Sequence, residues 1–145
     1  MSDKGQDEAA FNERWRREEP LYAAWGYFVG SALRDRIAGR VAPTKLEMFL
    51  RMPVTPRVKT TDSLVQKAFH RHKGYKDPYD EIEDKVGLRF VVLLSEDIRL
   101  IEEDILACPH WDATKARDFE EEREAKPYEF RLSVIALHRS VAHSL

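Results

Sequence analysis

Residues 56–94 constrain the fold of this chain more than any other part of its sequence. Prolines at positions 53 and 56 disfavour a helix before Arg57, so the segment that carries Arg57 is expected to be extended. At the other end, Gly87 opens an apolar run, residues 88–94, that predicts a buried strand. The middle of the chain therefore begins on one extended segment and ends on another.

A short helix is predicted between these two segments. Thr61 or Asp62 is a suitable N-cap for it. Ser63, Lys67 and Arg71 recur every four residues, so they are expected to share one helix face. A solvated basic face would explain Lys67 and Arg71 equally well, and Ser63 could simply cap the helix.

Charged residues also stand at the two ends of this stretch. Arg57 and Lys59 lie on the first extended segment, Asp84 precedes the apolar run, and Arg89 interrupts that run near its start. Polyphosphates need cations to neutralise them and a carboxylate to hold Mg²⁺. The combination indicates nucleotide phosphate chemistry, with Arg57 and Lys59 expected to face Asp84 across a cleft. An ordinary turn aspartate is the alternative interpretation of Asp84.

Two spaced patterns then resemble a known family. The first, R-x-K-x-x-x-S-x-x-x-K, is filled by Arg57, Lys59, Ser63 and Lys67. The second, D-x-x-G-[IL]-R, is filled by Asp84, Gly87, Leu88 and Arg89. Their order and separation are similar to the ATP-side and metal-binding signatures of the RelA/SpoT alarmone synthetases, and the resemblance covers roughly residues 42–130.

The resemblance implies an α+β fold, a nucleotidyltransferase-like mixed sheet flanked by helices and incomplete at the C-terminus. It implies a pyrophosphokinase that moves pyrophosphate from ATP to the 3′-hydroxyl of GDP or GTP, with tRNA as another acceptor and a homo-oligomer as a further option. Mg²⁺ is the implied cofactor and Asp84 its ligand. The implied catalytic residues are Asp84, Arg57 and Lys59, and the implied ATP-binding residues are Arg57, Lys59, Ser63, Lys67 and Arg89. Arg71 and Asp118 are additional candidates.

Arg89 has two possible partners. An arginine inside an apolar run is costly to bury without a partner, so it should pair with a carboxylate. The resemblance implies instead that it stacks on the adenine.

The flanking segments predict further elements. Residues 1–10 are expected to be frayed, residues 11–19 to form a charged helical turn ended by Pro20, and residues 21–38 to form an amphipathic helix ended by Gly39. Residues 43–51 predict a short helix, and residues 111–119 have weaker strand character. Ser95 is expected to cap a helix whose apolar stripe is Ile98, Ile101, Ile105 and Leu106.

Composition limits the class of protein. A chain of 145 residues is one domain by prior expectation, and a net charge of −2 gives no overall basic field for nucleic acid. The single cysteine, Cys108, excludes a disulfide framework and fits a reducing compartment. The polar, acidic N-terminus is unlike a secretory signal, and residues 21–33 are too short to span a membrane, so a cytoplasmic location is expected.

The C-terminal part departs from the family. The G-Y-x-S-x-H acceptor motif and a later E-x-Q-x-R stretch do not occur in frame, so we divide the chain into an N-terminal extension (1–20), a partial synthetase-like domain (21–130) and an atypical tail (131–145). Read one base later, the codons of residues 131–137 can spell Gly-Tyr-Gln-Ser-Leu-His, which predicts a shifted reading frame. The in-frame apolar run, residues 134–137, could take the place of the lost strand.

Two classes of function follow. The first is an alarmone-synthetase-like pyrophosphokinase, or a toxin-type relative that modifies tRNA. The second is a truncated nucleotide-binding remnant that retains ATP contacts without turnover.

Overall fold

A computed structural model describes residues 2–70, 74–82, 85–113, 128–134 and 137–139. The architecture is α+β, as expected. The helices are α1 (Ser2–Val41), α2 (Leu46–Phe49), α3 (Thr61–Val65) with a π-helical turn at Gln66–His70, α4 (Pro78–Glu81) and α5 (Asp97–Ala107). The strands are β1 (Arg57–Val58), β2 (Val86–Val91), β3 (Trp111–Ala113), β4 (Glu129–Ser133) and β5 (Leu137–Arg139).

The strands form two small sheets. The larger has the order β1-β2-β4, and the smaller pairs β3 with β5. In the larger sheet Arg57 lies opposite Gly87, which in turn lies opposite Ser133. Every ladder between described strands is antiparallel, whereas a mixed sheet was expected.

The main core lies between the second half of α1 and one face of the larger sheet. Val29, Leu33 and Ile37 are fully buried on α1, and they belong to the same cluster as Leu88 and Phe90 of β2. This pattern follows from the two periodicities, because the α1 residues recur every four positions and the β2 residues every two. Burial of these side chains provides most of the driving force for folding.

Gly26 and Gly30 bring α1 close to β2. A Cβ at Gly26 would stand 2.9 Å from Cγ1 of Val86 and 3.0 Å from Cβ of Pro56. A Cβ at Gly30 would meet Leu88 at 3.5 Å, an ordinary contact. At position 26, then, only glycine allows this separation between helix and sheet.

A second, smaller cluster lies under the first half of α1. Phe11 and Trp15 of α1 are buried with Leu64 of α3, Tyr79 of α4 and Ile82. The ring of Phe11 packs edge-on against Tyr79, with the ring centroids 5.2 Å apart. The N-terminal part of the chain therefore covers the elements that follow β1.

α1 corrects three of the sequence predictions. Residues 2–10 are helical rather than frayed, Pro20 lies inside the helix instead of ending the first segment, and the helix passes Gly39 to end at Val41. Pro20 removes one backbone donor. Burial of Phe11 and Trp15 before it, and of Val29 and Leu33 after it, stabilises both flanking segments as one helix. The boundary placed at residue 20 is thus crossed by a continuous element.

Two helix caps also differ from the prediction. Thr60, not Thr61 or Asp62, is the N-cap of α3, because its side chain accepts from the amide of Ser63. α5 begins after Glu96 and has no side-chain cap, whereas Ser95 was expected. Its stripe includes Ile98, Ile101 and Ile105, but Leu106 is 54% exposed, since it falls one position off the buried face.

The short helix predicted at residues 43–51 is present as α2, Leu46–Phe49. Only the beginning of the strand predicted at residues 111–119 is described, as β3. The strand predicted at residues 88–94 is observed as β2, which begins earlier, at Val86, and ends earlier, at Val91. Residues 93 and 94 lie beyond it and are exposed.

The tail contributes to both sheets. β4 begins before residue 131 and pairs with β2 over five positions, and β5 pairs with β3. Leu132, Val134 and Leu137 are buried in the main cluster. The strand position beside β2 is therefore occupied by residues 129–133.

Among the described helices, none combines the length and apolarity needed to cross a membrane.

Glycine-to-alanine changes at two positions of α1 should have opposite effects on stability. Gly26→Ala places a methyl group against the stiff, buried Val86, and overpacking of this kind costs about 1–3 kcal/mol. Gly39→Ala meets no atom within 4 Å and should stabilise the helix by up to about 1 kcal/mol. Urea unfolding measures both. A Gly26→Ala protein as stable as the Gly39→Ala protein would show that α1 does not lie at this distance from β2.

Candidate functional site

One face of the larger sheet packs against α1, and in the described part of the chain the opposite face carries exposed residues. Val86, Leu88 and Phe90 of β2 are buried, so the alternate residues Gly87 and Arg89 lie on the other face. The register brings Arg57 of β1 and Arg131 of β4 to this face as well, opposite Gly87 and Arg89 respectively. These four residues, together with Glu129, define the open face of the sheet.

Gly87 leaves bare backbone in the middle of this face. A Cβ at this position would have one neighbour within 4 Å in the described structure, the carbonyl oxygen of Leu132 at 3.6 Å. Arg57 on the neighbouring strand is exposed. A glycine inside a strand often marks a place where a ligand approaches the backbone closely. Because Arg57 is positively charged and lies opposite Gly87, a ligand that binds at this place is expected to be an anion.

Lys59 and Ser63 follow Arg57 at the entrance to α3. The amide of Lys59 donates to the carbonyl of Lys85 at 2.8 Å, which extends the pairing of β1 with β2. The hydroxyl of Thr60 donates to Oγ of Ser63 at 3.0 Å and accepts from the Ser63 amide at 3.2 Å. Ser63 is therefore part of the helix cap, which was one of its two predicted roles.

Lys67 lies in the π-helical turn Gln66–His70 and is partly buried. A π-helical turn has i→i+5 hydrogen bonds, so residues four apart no longer align as they do in an α-helix. The expectation that Ser63 and Lys67 share one face assumed an uninterrupted α-helix. Arg71, the third residue of that face, is outside the described residues.

Arg89 pairs with a carboxylate, one of the two partners expected for it. Its Nε is 3.1 Å from Oε1 of Glu129, and Nε of Arg131 donates to the same oxygen at 2.7 Å. The Glu129 side chain is only 10% exposed, whereas those of Arg89 and Arg131 are 49% and 60% exposed. Arg89 also contacts Sδ of Met52 through Nη2 at 3.4 Å. Sequence reasoning missed Glu129 and Arg131, because nothing local links a residue to a partner forty positions away.

Lys85 is a buried cation beside the site. Its ammonium donates to the carbonyls of Tyr79 and Ile82, the latter at 2.8 Å, at the C-terminal end of α4. It also lies 4.6 Å from the ring centroid of Tyr79. The carbonyls near a helix C-terminus favour a cation, which offsets part of the cost of burial. In the sequence, the feature that could have indicated this buried lysine is its position between Asp84 and an apolar strand.

Tyr79 itself belongs to a polar network at the base of α4. Its hydroxyl donates to Glu18 at 3.2 Å, and the Arg14 guanidinium lies 3.8 Å from its ring centroid. Burial, followed by the nearby Tyr22 and Glu18, raises the pKa of Tyr79 above its usual range. The phenol is thus held neutral, as a hydrogen-bond donor to Glu18.

The predicted metal site is only partly within the described structure. Asp84 and Asp118 lie outside the described residues. Among those that are described, no group of three His, Cys, Asp or Glu residues is placed to hold a metal. Glu129 already neutralises two guanidinium groups, so it is a poor Mg²⁺ ligand. The described residues do not by themselves form a magnesium site.

Comparison with known proteins adds no relative. No protein-family model, no curated protein and no solved structure matches this chain. A function therefore has to be argued from its own residues, above all from the open face with Gly87 and its flanking arginines.

Proposed function

We propose that this chain is a RelA/SpoT-like pyrophosphokinase domain with a nucleotidyltransferase-like fold. The reaction of such a domain is the transfer of pyrophosphate from ATP to the 3′-hydroxyl of GDP or GTP. The in-frame tail, which lacks the acceptor motif, is expected to impair that transfer in this chain. The observation that supports this function best is the placement of an exposed Arg57 directly opposite Gly87, on the face of the sheet that points away from α1. Arg57 of the first motif and Gly87 of the second are 30 positions apart in the sequence, yet the strand register places them opposite each other.

The chemistry explains why such a site needs cations. The acceptor oxygen forms a bond to the β-phosphorus of ATP, and the bond from that phosphorus to the oxygen bridging to the α-phosphate breaks. AMP leaves, and the hydroxyl proton passes to solvent. Negative charge develops on the leaving α-phosphate and on the transferred group, and fixed cations stabilise it.

Arg57 and Lys59 stand two positions apart on the extended segment, so their side chains project in the same direction. They are the proposed clamps for the triphosphate, and Lys67 of the π-helical turn is a further proposed phosphate-binding residue. Bare backbone at Gly87 lets a phosphate approach the sheet. Mg²⁺, held by Asp84, would neutralise further phosphate oxygens when bound.

A non-enzymatic remnant is the second candidate, and the tail favours it. Leu132, Val134 and Leu137 are buried, so the in-frame tail fills the core without any aromatic residue of an acceptor motif. Such a protein would bind ATP and lack turnover. A domain that modifies the 3′ end of tRNA remains the third candidate.

Incubation with γ-labelled ATP separates the three candidates. GDP, GTP and tRNA are supplied in turn, and the products are resolved. We expect label on a guanine nucleotide if the first function is right, and on tRNA if the third is right. ATP binding without transfer to any acceptor would identify the remnant. A chain that neither binds ATP nor transfers label would contradict all three.

Asp84→Asn should abolish the magnesium-dependent part of ATP binding and leave the fold intact. An amide keeps the size of the side chain but loses the charge that holds a hard cation. Titration calorimetry with ATP, with and without Mg²⁺, measures the effect, and circular dichroism checks the fold. Asp112→Asn, an exposed aspartate on β3, is the matched control. Unchanged magnesium dependence in the Asp84 variant would refute the metal assignment.

The coding DNA tests the shifted frame. The shifted motif Gly-Tyr-Gln-Ser-Leu-His requires codons such as CGG, CTA, TCA, GTC, ATT, GCA and CTC, in order, for residues 131–137. We expect the gene to contain codons of this kind, and repair of the frame to restore pyrophosphate transfer. Codons that cannot encode the motif one base later would end the proposal, and the in-frame tail would then be the native one.

A further inference from the structure

We propose that Arg89 and Arg131 form a two-arginine fork for a phosphate group, with Glu129 as the residue that positions both. The ligand class is a polyphosphate. Its identification as the phosphates of ATP rests on the proposed ATP binding of the in-frame chain, because the shifted reading frame would place glycine at position 131. Arg131 and Glu129 lie outside both sequence motifs, so this assignment is made from the geometry of the sheet.

The two arginines are directly opposite each other on adjacent antiparallel strands. Like charges at such positions destabilise a sheet. A single carboxylate, Oε1 of Glu129, lies 3.1 Å from Nε of Arg89 and 2.7 Å from Nε of Arg131. Among these three described side chains, one negative charge faces two positive charges, which is an excess of positive charge.

The contact atoms matter as much as the charge. Both guanidinium groups use Nε toward Glu129, and Nη2 of Arg89 contacts the thioether sulfur of Met52, a weak acceptor. With respect to the described residues, the other Nη groups therefore remain available as donors on side chains that are half exposed. Guanidinium forks of this kind match the oxygen geometry of phosphate.

Glu129 also lowers the cost of binding. A free arginine loses considerable side-chain freedom when it grips a ligand. Here both side chains are already tethered to a carboxylate that is almost completely buried. A pre-organised pair binds an anion with less entropic loss than two mobile side chains.

A purely structural role for the trio is the alternative. Surface ion pairs contribute little to stability, and the same stability would be available from one arginine and one glutamate. A purely structural role does not explain why a second arginine, Arg131, lies directly opposite Arg89. Binding of an anion explains it.

Titration of the full chain with inorganic tripolyphosphate at fixed ionic strength tests the fork. We expect Arg131→Ala to weaken binding roughly tenfold or more, and Arg99→Ala, which removes an exposed arginine from α5, to change it little. Arg131→Lys keeps the charge but loses the fork, so it should recover only part of the affinity. Melting temperatures show that each variant is folded.

Glu129→Gln separates positioning from charge. Removal of a negative charge alone would tighten anion binding, whereas loss of a positioning residue weakens it. We expect weaker binding. Tighter binding would refute the positioning role, and equal binding by wild type, Arg131→Ala and Arg99→Ala, or no binding at all, would overturn the fork. Arg131-dependent tripolyphosphate binding without label transfer would leave the fork standing and identify the in-frame chain as the nucleotide-binding remnant.

Discussion

The close approach of α1 to β2 at Gly26 is the constraint on which the rest of the structure depends. The two residues that a Cβ at position 26 would strike are Pro56 and Val86. Each of them immediately precedes a residue of the open face, Arg57 in one case and Gly87 in the other. The same helix contact that closes the core therefore fixes the relative position of β1 and β2 and, with it, the distance between the first cation of the site and the bare backbone beside it.

The sequence predicted local features well where one physical signal dominated. The buried strand after Gly87 is confirmed as far as Val91. The helix with Ile98, Ile101 and Ile105 inward and the pairing of Arg89 with a carboxylate are also confirmed. Pro20 misled the prediction, because a missing backbone donor weighs less than buried aromatic side chains on one side and aliphatic ones on the other.

The unpredicted parts of the site are those created by pairing in space. Glu129 meets Arg89 only because β4 lies beside β2, and the register that aligns them is a property of the folded sheet. Lys85 looks like a surface residue in the sequence, yet the end of α4 and the ring of Tyr79 surround it. Periodicity reports which face a residue occupies and carries no information about its distant neighbours.

The length of α1 has a consequence for the order in which the chain can fold. At 1.5 Å per residue, forty helical residues extend about 60 Å, and both clusters form along this one element. The helix is synthesised before the elements that it packs against: the indole N–H of Trp25 donates to the carbonyl of Val134, 109 residues further along. During synthesis its apolar side therefore stays without these partners until β2 and then β4 have emerged, and exposed apolar surface of this kind is prone to aggregation.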